Sequence, residues 1–253
     1  MRFKVGSTKL LKFLECIQCT GTDPIEGSGS VPINECIITV EDNKLKVLHS
    51  DGTTIVVNHE LQVEVEENGK IPIADIGRTI QFVHSFKPNK KITVYEKDDR
   101  LIMKTDEKIV KIRLDDESVI KKLSGLEHIT LTDGKITHKD FDEEVQVFKI
   151  DAEIIKNIVK DAKITGKMEF PFEVKDGKFY CSIGDEDAMI TTVHNDINIE
   201  DVKSTYAFGI DNVFSHLTGE VTVAFGNNTN MWVEKEDESM YLRYLIVKID
   251  KEK

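Results

Sequence analysis

Apolar and polar residues alternate along this chain with two periods that take turns four times over. Each round opens with a short strand-like alternation, continues as an apolar stripe at helical spacing, and closes with period-two runs joined by charged turns. The helical stretches fall near 7–20, 72–86, 151–165 and 205–218. Leu10, Leu11, Leu14 and Ile17 make the first stripe, behind Ser7 or Thr8 as N-cap. The second helix opens around Pro72 and sets Ile73, Ile76, Ile80 and Val83 on one face. The third turns Ile154, Ile155, Ile158 and Ala162 inward and stops at Gly166; the fourth carries Phe208, Val213, Phe214 and Leu217.

Strands are predicted near 35–41, 44–50, 54–60 and 61–66, then 91–96, 100–105 and 108–114. A second set follows at 145–150, 168–174, 178–183 and 188–194, then 221–225, 231–234 and 240–249. Turns such as Lys97-Asp98-Asp99 and Lys175-Asp176-Gly177 have hairpin chemistry, so the sheets are mainly antiparallel with helices on one face. Gly27-Ser28-Gly29-Ser30 reads as a flexible connection, since it lacks the GK[ST] ending of a phosphate loop. Between the halves, 115–143 is charged and broken by Ser124-Gly125 and Asp133-Gly134. The chain therefore reads as an α+β fold of two like domains, 1–114 and 144–253, each helix-βββ-helix-βββ, joined by a connecting loop over 115–143.

Composition adds limits. The 253 residues are 40% hydrophobic and 32% charged, enough core material for two compact domains. No apolar run approaches the roughly 20 residues that span a bilayer, and Met1-Arg2-Phe3-Lys4-Val5 reads as a first strand. The expected location is intracellular: cytoplasmic beside the nucleoid in a prokaryote, nuclear in a eukaryote. Cys16 and Cys19 have CxxC spacing but lie inside a predicted helix with no second ligand pair nearby. Buried thiols are the expectation for them and for Cys36 and Cys181. The seven histidines lack ligand spacing, and no nucleophile elbow, Walker loop or dinucleotide turn occurs. Neither catalysis, a metal nor a cofactor is expected.

The net charge of −12 argues against nucleic acid on the general surface, so the position of the cations decides. Two strands have no partner in this reading. Lys108–Leu114 carries Lys108, Lys111 and Arg113; the strand holding Ala188, Ile190, Thr192 and His194 is bordered by Asp185, Glu186, Asp187 and Asp196. Unlike edges pair head to tail, which closes a ring or extends a filament. In a ring lined by its helices, Lys9, Lys12, Arg78, Lys156, Lys160 and Lys163 offer positive charge to phosphates without reading sequence. The plainer alternative is an ordinary solvated helix face.

The segment from Ser204-Thr205-Tyr206-Ala207 through Glu220–Asn227 to Leu242-Arg243-Tyr244-Leu245 resembles the last helix and final strands of the sliding clamps of archaeal and eukaryotic DNA replication, the proliferating cell nuclear antigen family, and is closest to archaeal members. Val145–Ile197, Leu45–Glu60 and Ile71–Phe86 follow in register. The resemblance implies a ring of three subunits, homotrimeric or heterotrimeric, with sheets outside, helices inside, and duplex DNA threaded through it. Lys9, Lys12, Arg78, Lys156 and Lys160 match the family's channel positions, and the two edges above match its subunit interface. It also implies a groove in which DNA polymerase, the clamp loader and other peptide-motif proteins dock. That groove maps here to Ser50, Ile55, Val57, Ile136, Asn230, Ile246 and Val247, with Phe141 as a further position.

The match has departures. Ser50 and Asn230 replace a large apolar residue and a proline of the groove, Ile246-Val247-Lys248 replaces the usual tail, and Gly209, Asp211 and His216 make the fourth helix less basic. The expected function is a DNA sliding clamp, a processivity factor that tethers polymerase and other replication or repair proteins. The alternatives are a clamp-like scaffold for repair, checkpoint or transcription, one subunit of a mixed ring, a monomeric binding protein, or an enzyme.

Overall fold

The computed structural model describes residues 1–19, 33–52, 55–121, 126–167, 169–207 and 209–249. The Gly27–Ser30 connection, the Ser124-Gly125 break and Phe208 lie outside them. The first half runs β1 (Arg2–Gly6), α1 (Ser7–Gln18), β2 (Cys36–Glu41), β3 (Lys44–Ser50), β4 (Ile55–Gln62), β5 (Glu64–Glu67), β6 (Gly69–Ile73), α2 (Ile76–His84), β7 (Lys91–Lys97), β8 (Arg100–Lys104) and β9 (Ile109–Arg113). Short strands β10 (Thr130–Thr132), β11 (Lys135–His138) and β12 (Phe141–Glu144) follow. The second half runs β13 (Gln146–Asp151), α3 (Ala152–Thr165), β14 (Phe170–Lys175), β15 (Lys178–Gly184), β16 (Met189–His194), β17 (Val202–Tyr206), α4 (Ile210–Ser215), β18 (Glu220–Phe225), β19 (Met231–Glu236) and β20 (Met240–Ile246).

Four antiparallel sheets result, ordered β5-β1-β7-β8-β9, β10-β11-β12, β13-β18-β19-β20-β4-β3-β2-β6 and β16-β15-β14-β17. The eight-stranded sheet joins the halves where β20 pairs with β4. Its register settles which side bears the helices. Phe148, Val223, Val233, Tyr244 and Val57 lie directly opposite one another across five strands and so share one face. Tyr244 on that face reaches α1, and Phe148 packs with Ile155 of α3. Both helices therefore cover the same side, α1 beside α2 and α3 beside α4. The opposite face carries Val147, Ala224, Trp232, Leu245 and Val56.

Local chemistry explains the helix ends. Asp75 and Asp151 cap α2 and α3 by accepting from the backbone N–H of Arg78 at 2.8 Å and of Glu153 at 3.0 Å. Gly166 ends α3 in the left-handed region. Leu10, Phe13, Leu14 and Ile17 are buried on α1, each stabilising by about 2 kcal/mol. Leu11 is only half-buried, so the stripe centres on Phe13 rather than Leu11.

Three expectations change. Pro72 and Ile73 belong to β6, whose pairing with β2 delays α2 to Ile76. Tyr206 belongs to β17, paired with β14, and α4 starts only at Ile210. The connecting stretch contains a three-stranded sheet.

Candidate nucleic-acid interface and subunit edges

Lys9 and Arg78 are exposed and Lys12 half-exposed on the neighbouring helices α1 and α2. Arg78 also lies over the Phe82 ring, 5.7 Å from its centroid. On α3, Lys156, Lys160 and Lys163 share one stripe. Lys156 pairs with Glu153 at 2.7 Å, and Lys160 donates to Asn157 Oδ1 at 3.1 Å. Because α1 and α3 cover one side of the shared sheet, the structure gathers these cations on the helix-bearing side. Asp211 of α4 points into the protein instead. It is buried, its Oδ2 has no hydrogen-bond partner among the described residues, and burial pushes its carboxyl above the usual range while Lys163 opposes that shift.

The sequence-predicted edges are edges of the described sheets. β9 has only β8 beside it, and β16 only β15. Both present large apolar side chains to solvent: Ile109 is 53% exposed, Met189 66% and Val193 48%, with Ile164 at 76% on the adjacent end of α3. Lys111 and Arg113 are exposed and make no ion pair among the described residues. Lys108 donates to the Ser85 carbonyl at 2.7 Å. Ile190, Thr192 and His194 are half-buried on the inward side of β16, where Thr192 donates to Asp161 at 3.4 Å. Ala188 is exposed in the turn before β16. Residues 189 and 193, not the even-numbered ones, face outward.

The expected peptide groove needs correction. Ile55, Val57 and Ile246 are 2%, 0% and 0% exposed on the helix side of the eight-stranded sheet and line no groove. A one-residue change of parity moves a strand side chain to the other face, and the residues on the side away from the helices are Leu48, Val56, Trp232 and Leu245. Ser50 is half-buried on that side, its Oγ donating to the Ile55 carbonyl at 2.7 Å. Ile136 is fully buried with Val145, Ala224, Trp232 and Leu245, so the connecting sheet itself covers this side, with Phe141 packed against the cluster. Asn230 is buried and bonded to Glu143 and Lys248, while Val247 is 37% exposed. Between Leu126, Ile129 and the sheet a cavity of about 10 Å³ is left, room for about one water. The signal missed in the sequence is the lone Trp232 within the continuous apolar run Met231-Trp232-Val233.

The thiols are buried as expected, and burial pushes Cys16 and Cys36 up to about 12, which removes thiolate chemistry. Among the described residues no helix is long and apolar enough to cross a membrane.

No protein-family profile and no curated protein matches this sequence. Solved structures do match the fold. Proliferating cell nuclear antigen (PCNA) from Entamoeba histolytica superposes with a TM-score of 0.75 at 11% identity, over 98% of each chain. A. fulgidus PCNA, solved with the C-terminal region of FEN-1 bound, gives 0.76 at 14% identity over 100% of this chain and 99% of its own. The DNA polymerase III beta subunit from Thermotoga maritima gives 0.70 at 11% identity, over 99% of this chain and 65% of its own. The chain has the fold of the DNA sliding clamps.

Proposed function

We propose that this chain is the subunit of a DNA sliding clamp. Copies join β9 to β16 head to tail, close a ring of three, and turn α1–α4 toward a duplex in the centre. The halves 1–114 and 144–253 act as like domains, with 115–143 connecting them. The observation that carries this reading is the coincidence of two features. Both helix pairs, with the cations of α1, α2 and α3, occupy one side of the shared sheet, and β9 and β16 are unpaired edges with exposed apolar side chains. Open edges with apolar side chains are covered by pairing. Opposite charge, Lys111 and Arg113 against Asp185–Asp187, selects the unlike edge.

Held this way, the chain tethers a polymerase near the primer end and raises its effective concentration there, with no chemistry of its own. The bound FEN-1 segment in the A. fulgidus structure supports a peptide-docking role. In this chain the corresponding surface is the face bearing Leu48, Val56, Trp232 and Leu245, where the connecting segment would shift to admit an anchor residue. A scaffold role outside replication is the second reading, favoured by the polar Ser50 and Asn230 at positions where the resemblance expects a large apolar residue and a proline. The test is retention on nicked circular DNA in the presence of a clamp loader. Retention that is lost on linearisation and weakened severalfold by Lys156→Glu with Lys160→Glu supports the proposal. Retention indifferent to topology contradicts it.

A further inference from the structure

A cluster of positive charge in this acidic chain lies on the outer side of the five-stranded sheet, where Arg2 and Lys4 already pair with Glu66. Phe3, Val94, Met103 and Val110 are directly opposite one another and buried, which marks the inner face. The residues between them therefore point outward. Two of the outward rows are Lys97, Arg100 and Arg113, and Lys4, Thr93 and Lys104. Like charges directly opposite across strands destabilise a sheet, yet Lys97 faces Arg100 and Arg100 faces Arg113. None of these three, nor Lys104, makes an ion pair among the described residues. The Lys97–Arg100 pair stands at a cost that a bound anion relieves, and Lys97 with Lys104 reaches the adjoining groove.

This groove, of about 770 Å³, has Thr93 and Tyr95 on its floor and the 85–91 and 104–108 turns as walls. Cations that line the groove already pair with carboxylates of their own chain. Glu107 sits between Lys87 at 2.6 Å and Lys90 at 3.8 Å, and Glu64 takes Lys91 at 2.5 and 2.7 Å with its two oxygens. Two features select the kind of anion. Single-stranded nucleic acid wants open aromatic faces for its bases, but here Arg2 covers the Tyr95 ring and Lys108 covers Phe86, each 5.6 Å from the centroid. The basic strip is also short. Asp98 and Asp99 close one end and Asp106 the other, so it runs the length of β7, about 20 Å. A longer polyanion runs onto acidic surface.

We infer that this groove is a docking site for a short acidic peptide segment, about six residues long, of a partner protein. The inference does not rest on ring closure. The test is fluorescence anisotropy of the intact protein with a labelled hexapeptide of alternating Asp and Glu. Saturable, salt-sensitive binding is expected, weakened about fivefold by Lys97→Ala with Lys104→Ala. Glu107→Gln frees Lys87 and Lys90 and tightens binding, a gain that misfolding does not produce. Lys156→Ala with Lys160→Ala leaves it unchanged. Absence of binding, or binding indifferent to the Lys97, Lys104 and Glu107 substitutions, overturns the inference. So does displacement of the peptide by a twelve-nucleotide oligothymidylate at lower concentration than by unlabelled peptide, which assigns the groove to nucleic acid.

Discussion

The hydroxyl of Tyr244, on the last strand, donates to the carbonyl of Cys16 on the first helix at 3.4 Å. His59 of β4 reaches the same carbonyl through Nε2 at 3.3 Å and meets the Tyr244 ring edge-on, centroids 4.5 Å apart. The backbone N–H of Arg243 donates to Nδ1 of that imidazole at 3.2 Å, which assigns the neutral ring with its proton on Nε2. One buried polar knot thus ties the seam where the halves share a sheet to the helix on its inner side.

The knot makes stability fall in acid. Burial drives His59 from 6.5 down to about 4. The unfolded chain binds the proton first, so the contribution of the neutral ring is complete above pH 6.5 and is lost as pH falls toward 4. The loss amounts to about 3 kcal/mol. Urea denaturation across this range is expected to show it, and His59→Gln to flatten the slope between pH 6.5 and 5, above most carboxylate titrations.

Gly209 holds the start of α4 against the other half. Its φ is +83°, and a Cβ there comes within 2.7 Å of Ile55 Cγ1. Gly209→Ala therefore combines backbone strain with overpacking and is expected to cost about 2 kcal/mol or more. Gly166, at φ +67° with open space around it, isolates the backbone part, and Gly166→Ala is expected to cost about 1 kcal/mol. Equal losses in thermal melts of the two variants contradict the packing of Ile55 on α4.

Much of this was legible locally. Asp151 and Gly166 bracket α3, and the Lys97-Asp98-Asp99-Arg100 turn, with positive φ at both aspartates, announces the β7–β8 hairpin that leaves β9 outermost. The groove was not legible, because Val56-Val57 and Leu245-Ile246 are apolar on both faces of a sheet covered on both sides, so alternation carries no parity. Tyr206 reads as helix until its long-range pairing with Phe170 is known. The outer cationic rows appear only when register sets Lys97, Arg100 and Arg113 side by side.

The edges make a prediction about assembly. Lys111→Glu with Arg113→Glu places negative charge against the acidic border of β16 and is expected to move the protein toward monomer in sedimentation velocity. Restoring assembly by Asp185→Lys with Asp187→Lys in a second copy identifies the paired edges. An unchanged sedimentation profile of the first variant assigns the assembly to another surface.

Apolar exposure on the same edges predicts a salt-resistant part of that association. Met189→Asp with Val193→Asp is expected to dissociate the assembly at high salt as well as low, since screening does not weaken burial of apolar surface. A variant that associates like the parent chain at both salt concentrations removes β16 from the contact.

The most direct measurement is an electron-microscopy reconstruction of the purified protein. The account predicts a closed ring of three 28.7 kDa chains, β9 of each beside β16 of the next, with Lys9, Lys156 and Lys160 facing the central hole. Isolated single chains, or a ring with those helices on its outer wall, contradict it.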